Sequence, residues 1–216
     1  MTSSIKSIMN ENVLDKTVLV RADLNIPMSN GNISDQSRVE RVIPTINFLK
    51  SSGAKIVICS HLGRPNGKYN KNYTLKPLVE ILSNILETNV RFSNSCLGQE
   101  ALEIKTSLKA GEILLLENVR FHEEEMSNSL SFAKKLSEGC DLFVNDAFSC
   151  SHRAHSSLHA ITNFLPSYSG KLMDEEIKAL TSVLSSPIKP VAALVGGAKI
   201  STKINIIEYL ITKMDY

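Results

Sequence analysis

The stretch that decides the fold is residues 17–27, which read TVLVRADLNIP. A continuous apolar run at 17–20 is followed at once by charged and polar side chains, and the segment ends at a proline. Unbroken Val and Leu are typical of a strand that is buried on both faces of a parallel sheet. Ligands bind beyond the carboxyl ends of such strands. The segment therefore predicts a central strand followed by a binding loop.

The same arrangement recurs along the chain. Further apolar runs lie at residues 55–59, 89–92, 113–116, 142–144 and 191–195. Amphipathic stretches that predict helices lie at 37–52, 74–87, 127–138 and 174–186. Thr74 is a candidate N-cap, Gly53 and Gly139 are candidate stops, and Pro44 is awkward inside its helix. This alternation predicts an α/β fold, a three-layer Rossmann-like domain around a mostly parallel six-stranded sheet.

A domain boundary is expected near Pro187 and Pro190, because two prolines after a helix are typical of a linker. One strand, a glycine pair and one helix follow before Tyr216, which is too little to cover both faces of a sheet. We therefore expect a first domain over 1–170, an interdomain helix and linker over 171–189, and the start of a truncated second α/β domain over 190–216.

The composition is that of a soluble globular protein, with 43% hydrophobic residues, 21% charged residues and a net charge of +2. Such a balance excludes a strongly cationic nucleic-acid binder. No apolar run approaches the roughly 20 residues of a membrane helix, and the first residues lack a secretory pattern. The four cysteines form no C-x-x-C pair, so we expect reduced thiols and a cytoplasmic location.

Basic side chains follow four of the predicted strands. Arg21, Arg64, Arg120 and Arg153 lie after strand ends with His61, and Arg38 lies at the beginning of the first long helix. A rim of guanidinium groups is suited to a multiply charged anion, because each offers a planar fork of donors. The alternative is that each arginine is an ordinary solvated charge.

Asp23 and Asn25 lie two residues apart, so their side chains point the same way and suit a hydroxyl on the same anion. The alternative is an Asx turn before Pro27. His152, His155 and His159 suggest a metal site, but no carboxylate lies within 149–160. We instead expect His152 and His155 to line the anion rim or to pack beneath it. No metal site is predicted.

The last predicted strand is followed by VGGAKISTK at 195–203. Glycines let the backbone approach a phosphate, and a helix N-terminus offers free N–H groups. Lys199 and Lys203 share one helical face. The alternative is a tight turn followed by a solvated lysine pair.

Six of these segments together resemble the phosphoglycerate kinase family. They are RADLNIP at 21–27, SHLGRP at 60–65, ENVRF at 117–121, NDAF at 145–148, HRAH at 152–155 and GGAK at 196–199. The resemblance implies two Rossmann-like domains, the first binding 3-phosphoglycerate or 1,3-bisphosphoglycerate and the second binding ATP or ADP with Mg²⁺. It implies a glycolytic phosphotransferase that is cytoplasmic and, at full length, monomeric. The family usually has other residues at Leu24, Ile26 and 149–151.

The resemblance also implies a role for individual residues. Asp23 and Asn25 would hold the glycerate end, and Arg38 the acyl phosphate and the transferring group. The non-transferring phosphate would be held by His61, Arg64, Arg120 and Arg153, and Leu62 and Gly63 would also belong to the substrate-binding set. Nucleotide phosphates would be met by Gly196, Gly197, Lys199 and Lys203, with Arg38, Lys199 and Lys203 as the catalytic set. We expect this chain to hold the phosphoglycerate site without turning over alone; the alternative is a non-catalytic anion-binding module.

Overall fold

The computed structural model describes residues 5–29, 32–33, 35–185, 188–196 and 203–216. Its strands are β1 (Thr17–Ala22), β2 (Met28–Ser29), β3 (Asn32–Ile33), β4 (Lys55–Cys59), β5 (Val90–Ser93), β6 (Ile113–Leu116), β7 (Leu142–Asp146) and β8 (Ser167–Ser169). Its α-helices are α1 (Ser37–Ser51), α2 (Leu78–Leu86), α3 (Gln99–Ser107), α4 (Glu123–Met126), α5 (Leu130–Ser137), α6 (Lys171–Ser185) and α7 (Ile204–Ile211). Short 3₁₀ helices lie at Ile8–Asn10, Lys71–Tyr73, Val119–Phe121, Phe148–Cys150 and Ala160–Asn163.

Six strands form one parallel sheet in the order β5-β6-β4-β1-β7-β8, and β2 pairs with β3 in a separate antiparallel ribbon. The chain builds β4, β5 and β6 on one side of β1 and then crosses to β7 on the other side. This reversal is the kind of switch point where α/β sheets bind ligands. The predicted six-stranded α/β fold is confirmed.

The sheet is buried on both faces because its apolar side chains alternate between two cores. Val18 and Val20 of β1 belong to the core under α1 and α2, whereas Leu19 belongs to the core under α3 and α5. Ile56 and Val57 of β4 divide in the same way. Burial of alternate residues on opposite faces gives the predicted three layers.

The observed elements differ from the predicted ones in several places. Helix α2 begins at Leu78 rather than at Thr74, whose hydroxyl instead donates to Glu117 Oε2 at 2.5 Å. Residues 191–195, predicted as a strand, form no strand among the described residues. Neither α3 nor β8 was predicted, because their segments lack an apolar run and a clear apolar face.

Contacts divide the chain into two compact units, Met1–Asp174 and Glu175–Tyr216. The first contains the whole six-stranded sheet. In the second, α7 exposes several large apolar side chains, among them Ile204, Ile206 and Ile211. Among the described residues, no helix combines the length and the apolar character needed to cross a bilayer.

Candidate anion-binding site at the carboxyl edge of the sheet

The strand order brings the predicted site residues together. Strands β6, β4, β1 and β7 are neighbours, and the residues that follow them include Arg120, His61, Asp23 and Arg153. Ser60 joins two of these strand ends, because its hydroxyl accepts a hydrogen bond from Leu24 N at 2.9 Å and donates to Ala22 O at 2.8 Å. The loops after β1 and β4 are therefore held side by side.

Asp23 is a buried carboxylate at the end of β1. Its Oδ1 accepts from the backbone N–H of Asn25 at 3.1 Å, so the Asx turn considered above does form. Its Oδ2 accepts from Arg38 Nη1 at 2.8 Å and from the Ser149 hydroxyl at 2.5 Å. The turn and the binding role are thus compatible, because they use different oxygens.

Asn25 and Arg120 both contact the backbone of Gly63. Asn25 Oδ1 accepts from Gly63 N at 2.8 Å, and Arg120 Nη1 donates to Gly63 O at 2.8 Å. Gly63 has φ +61°, and a β-carbon there would overlap the ring of Tyr73. Next to it, buried Leu62 presents its carbonyl to Asn118 Nδ2 at 2.8 Å. The loop after β4 is therefore anchored from two neighbouring segments, which follow β1 and β6.

Arg120 is buried although it carries a full charge, and its Nε has no hydrogen-bond partner among the described residues. Burial lowers the pKa of Arg120, and the positive charges of Arg153 and Arg21 lower it further. Crowded, partly desolvated cations of this kind are stabilised by a bound anion. The electrostatics favour a phosphate or carboxylate ligand.

His61 is 3% exposed and neutral. Burial, followed by the nearby charges of Arg21 and Arg120, lowers the pKa of His61 to about 2. His155 behaves similarly, since burial and Arg120 lower its pKa to about 4. Both rings offer hydrogen bonds rather than charge at neutral pH.

The remaining arginines occupy different levels of the site. Arg64 and Arg153 are exposed, and Arg153 Nε donates to His152 Nε2 at 3.1 Å. The side chain of Arg38 is 47% exposed beyond its ion pair with Asp23. Arg21, expected at the rim, is fully buried, and its Nη2 is 2.9 Å from His61 Nδ1. It therefore lies beneath the rim.

The histidines of 152–159 have three separate partners. His152 contacts Arg153, His155 Nδ1 is 4.0 Å from Glu125 Oε1, and His159 Nδ1 is 3.0 Å from Asn128 Nδ2. A different trio, Asp23, His61 and Cys150, places one possible ligand atom each within 4.8 Å of the others. Arg38 and Arg21 already bond to Asp23 and His61, and their positive charges oppose the binding of a metal ion by this trio.

In the second unit, Lys203 Nζ donates to the carbonyl of Gly196. Gly197 and Lys199, the other two residues expected to meet nucleotide phosphates, lie outside the described residues. Helix α7 begins at Ile204, directly after Lys203.

A model of the phosphoglycerate kinase family matches residues 8–216. The chain belongs to the phosphoglycerate kinase family. It is 47% identical over 211 residues to the phosphoglycerate kinase of Borrelia garinii subsp. bavariensis, and the match covers 97% of this chain and 54% of that protein. It is 46% identical over 213 residues to that of Wolbachia pipientis subsp. Culex pipiens, covering 99% and 54%.

Solved structures of the family have the same fold. The structure of phosphoglycerate kinase from Coxiella burnetii superposes with a TM-score of 0.87 at 39% identity, covering 98% of this chain and 53% of that one. The crystal structure from Pyrococcus horikoshii OT3 gives 0.87 at 35% identity, covering 98% and 54%. The chain spans about half the length of the relatives that it matches.

Several residues that support the site were not singled out from the sequence. Ser149 bonds to Asp23, Asn118 Nδ2 donates to the Leu62 and Tyr73 carbonyls, and Ser157 with Glu125 holds Arg21. Serine and asparagine in a loop carry no signal of their own, because their partners are distant along the chain. Buried Glu125 could be noticed only as one acidic residue in a run of three.

Proposed function

We propose that this chain provides the phosphoglycerate-binding half of a kinase that transfers a phosphoryl group reversibly between 1,3-bisphosphoglycerate and ADP. One observation carries the proposal: buried Arg120, neutral His61 and the Asp23–Arg38 pair meet at adjacent strand ends. In this assignment the non-transferring phosphate lies against His61, Leu62, Gly63, Arg64, Arg120 and Arg153. Asp23 and Asn25 hold the glycerate end.

The proposed reaction asks for positioning and charge stabilisation rather than for a base. The carboxylate of 3-phosphoglycerate is already ionised at neutral pH, so it can attack a phosphoryl group without losing a proton. The developing negative charge is spread over phosphoryl oxygens and is stabilised by cationic donors. Arg38 is well placed for this role, because its half-exposed guanidinium can leave Asp23 for an acyl phosphate.

The nucleotide is proposed to be ADP or ATP, which brings Mg²⁺ with it as part of the substrate. Gly196, Gly197, Lys199 and Lys203 are assigned to its phosphates, with Lys199 and Lys203 acting on the migrating group. We further propose that the protein works in the cytoplasm, and that the complete enzyme is monomeric and does not bind nucleic acid or membranes.

The test is a calorimetric titration of the 216-residue chain with 3-phosphoglycerate, with glycerol 3-phosphate as the analogue that lacks the carboxylate. We expect 3-phosphoglycerate to bind more tightly. Arg120→Met should weaken binding at least tenfold, about 1.4 kcal/mol, whereas Arg91→Met, which removes an equal charge from β5, should leave it unchanged. Absence of binding by the unaltered chain would refute the proposal.

An ATPase assay on the same sample addresses the division of labour. We expect no ATP consumption in the presence of 3-phosphoglycerate, since only residues 190–216 of this chain are assigned to the nucleotide half. Sustained turnover would show that this assignment is wrong.

A further inference from the structure

Arg21 is a charged side chain of the site that has no exposed surface. Each of its three nitrogens has one neighbour. Nη1 donates to the carbonyl of Ala22, Nε donates to the Ser157 hydroxyl at 2.9 Å, and Nη2 lies 2.9 Å from His61 Nδ1. A guanidinium held at three points has little freedom to rotate.

The far side of this arrangement is fixed by Glu125, which is also fully buried. Its Oε1 accepts from the Ser157 hydroxyl at 2.6 Å, and its Oε2 accepts from Ser157 N at 2.9 Å. Burial raises the pKa of Glu125, while the charge of Arg21 and the bonds from Ser157 oppose that rise. Glu125, Ser157, Arg21 and His61 thus form a continuous chain of hydrogen bonds.

The direction of the last bond follows from chemistry. A guanidinium has five N–H donors and no acceptor, so Arg21 must donate and His61 Nδ1 must accept. A neutral imidazole carries a single proton, which then lies on Nε2. Protonation of Nδ1 would point an N–H at the Arg21 donor. The depressed pKa of His61, caused by burial and then by Arg21, agrees with this geometry.

We propose that Arg21, braced by Ser157 and Glu125, is a positioning residue that locks His61 in the Nε2–H tautomer. The ring then presents a fixed N–H donor to a substrate oxygen and adds no positive charge of its own. The identity of that oxygen, on phosphoglycerate, rests on the proposed function; the tautomer does not.

The decisive measurement is the ¹⁵N NMR spectrum of the uniformly labelled chain without ligand, with the His61 signals assigned by their loss in His61→Gln. We expect one protonated Nε2 and one unprotonated Nδ1, unchanged between about pH 5 and 8, where an ordinary histidine titrates. A proton on Nδ1, or a doubly protonated ring at neutral pH, would overturn the lock.

The matched variants are Arg21→Gln and Arg21→Lys. A glutamine amide can donate or accept, so Arg21→Gln should give mixed His61 tautomers and at least tenfold weaker binding of 3-phosphoglycerate. An ammonium can only donate, so Arg21→Lys should keep the Nε2–H pattern. An unchanged His61 spectrum in Arg21→Gln would also refute the proposal.

Two further arms keep the outcomes separate. If Arg21→Gln does not fold, Ser157→Ala removes only the brace, and an unaltered His61 spectrum there would count against the role of the brace. In His61→Gln the side-chain amide replaces the Nε2–H donor. If Arg21 acts by positioning His61, Arg21→Gln should therefore weaken 3-phosphoglycerate binding less in the His61→Gln background than in the unaltered chain. An equal loss of affinity in both backgrounds would refute the positioning role. If His61 has the Nε2–H tautomer but the chain does not bind 3-phosphoglycerate, the proposed function is refuted and the tautomer lock is not.

Discussion

Gly63 links the phosphoglycerate loop to two of its neighbours through a single backbone conformation. Its φ is +61°, and a β-carbon would collide with Tyr73. We predict that Gly63→Ala lowers the free energy of unfolding by about 3 kcal/mol, from left-handed strain and the clash together. It should also weaken 3-phosphoglycerate binding, because Asn25 and Arg120 both bond to the backbone of Gly63.

Gly111 is the control for that substitution. Its φ is +81°, but the nearest atom to a β-carbon there would be Lys50 O at 3.8 Å, an ordinary contact. Gly111→Ala should cost about 1 kcal/mol in a urea denaturation and leave binding unchanged. Equal costs for the two substitutions would show that Tyr73 can move aside.

Asp146, at the end of β7, gives a prediction about pH. Burial is the largest cause that raises the pKa of Asp146 to about 6, although Met173 N donates to its Oδ1 at 3.0 Å. The folded state therefore takes up a proton as pH falls through about 6, whereas the unfolded chain does so near 3.9. The free energy of unfolding should include a contribution that grows as pH falls from about 7 to 4.

Asp146→Asn removes this contribution while keeping an oxygen acceptor for Met173. The stability of the variant relative to the unaltered chain should rise with pH through about 6, by up to roughly 3 kcal/mol for a two-unit shift. Thermal or urea unfolding at several pH values measures the difference in the free energy of unfolding between the two proteins. The contributions of other titrating groups, such as Glu125, cancel in that difference. Parallel curves for the two proteins would contradict the prediction.

At the scale of elements, the end of α5 is stabilised by a lysine from α3. Lys105 is 2% exposed, and its Nζ donates to Leu136 O at 2.8 Å and to Glu138 O at 3.2 Å. These carbonyls are left without helical partners at the C-terminus, where the helix dipole also favours a cation. One side chain thus satisfies the end of one helix and fixes its distance from another.

We predict that Lys105→Met destabilises the fold by about 2 kcal/mol, the cost of leaving buried carbonyls unsatisfied. Lys109→Met, at an exposed position two residues beyond the end of α3, should change stability by less than about 0.5 kcal/mol. Chemical denaturation compares the two variants. If Lys105→Met lowered the free energy of unfolding no more than the control does, the carbonyls would not depend on the lysine and the prediction would be wrong.

The whole molecule consists of two units of unequal size, and all the residues assigned to phosphoglycerate lie in the first. We predict that a chain ending at Ser185, after α6, binds 3-phosphoglycerate within twofold of the 216-residue chain. The reason is that the sheet, both its cores and the site are complete before that point. Calorimetry measures the affinity, and circular dichroism checks that the shorter chain folds. A larger loss would mean that residues 186–216 contribute to the site.

The sequence by itself determined the α/β class, five strands of the sheet and the edge at which the arginines gather. These features are readable because a strand buried on both faces needs an unbroken apolar run, and because parallel strands share one carboxyl edge. Asp23, Asn25, His61 and Arg120 could be selected on that ground alone. The family motifs then gave them roles.

Only the tertiary structure decided which charges face inward. Arg21 and Lys105 appear in the sequence as ordinary basic residues, yet both are buried, and their partners are far away along the chain: Ser157 lies 136 residues from Arg21, and Leu136 lies 31 from Lys105. Strand β8 likewise exists because β7 offers it an open edge. Residues 191–195, with no neighbouring strand among the described residues, form none. Hydrogen bonds and burial between distant segments depend on how the whole chain is packed, and local periodicity carries no record of them.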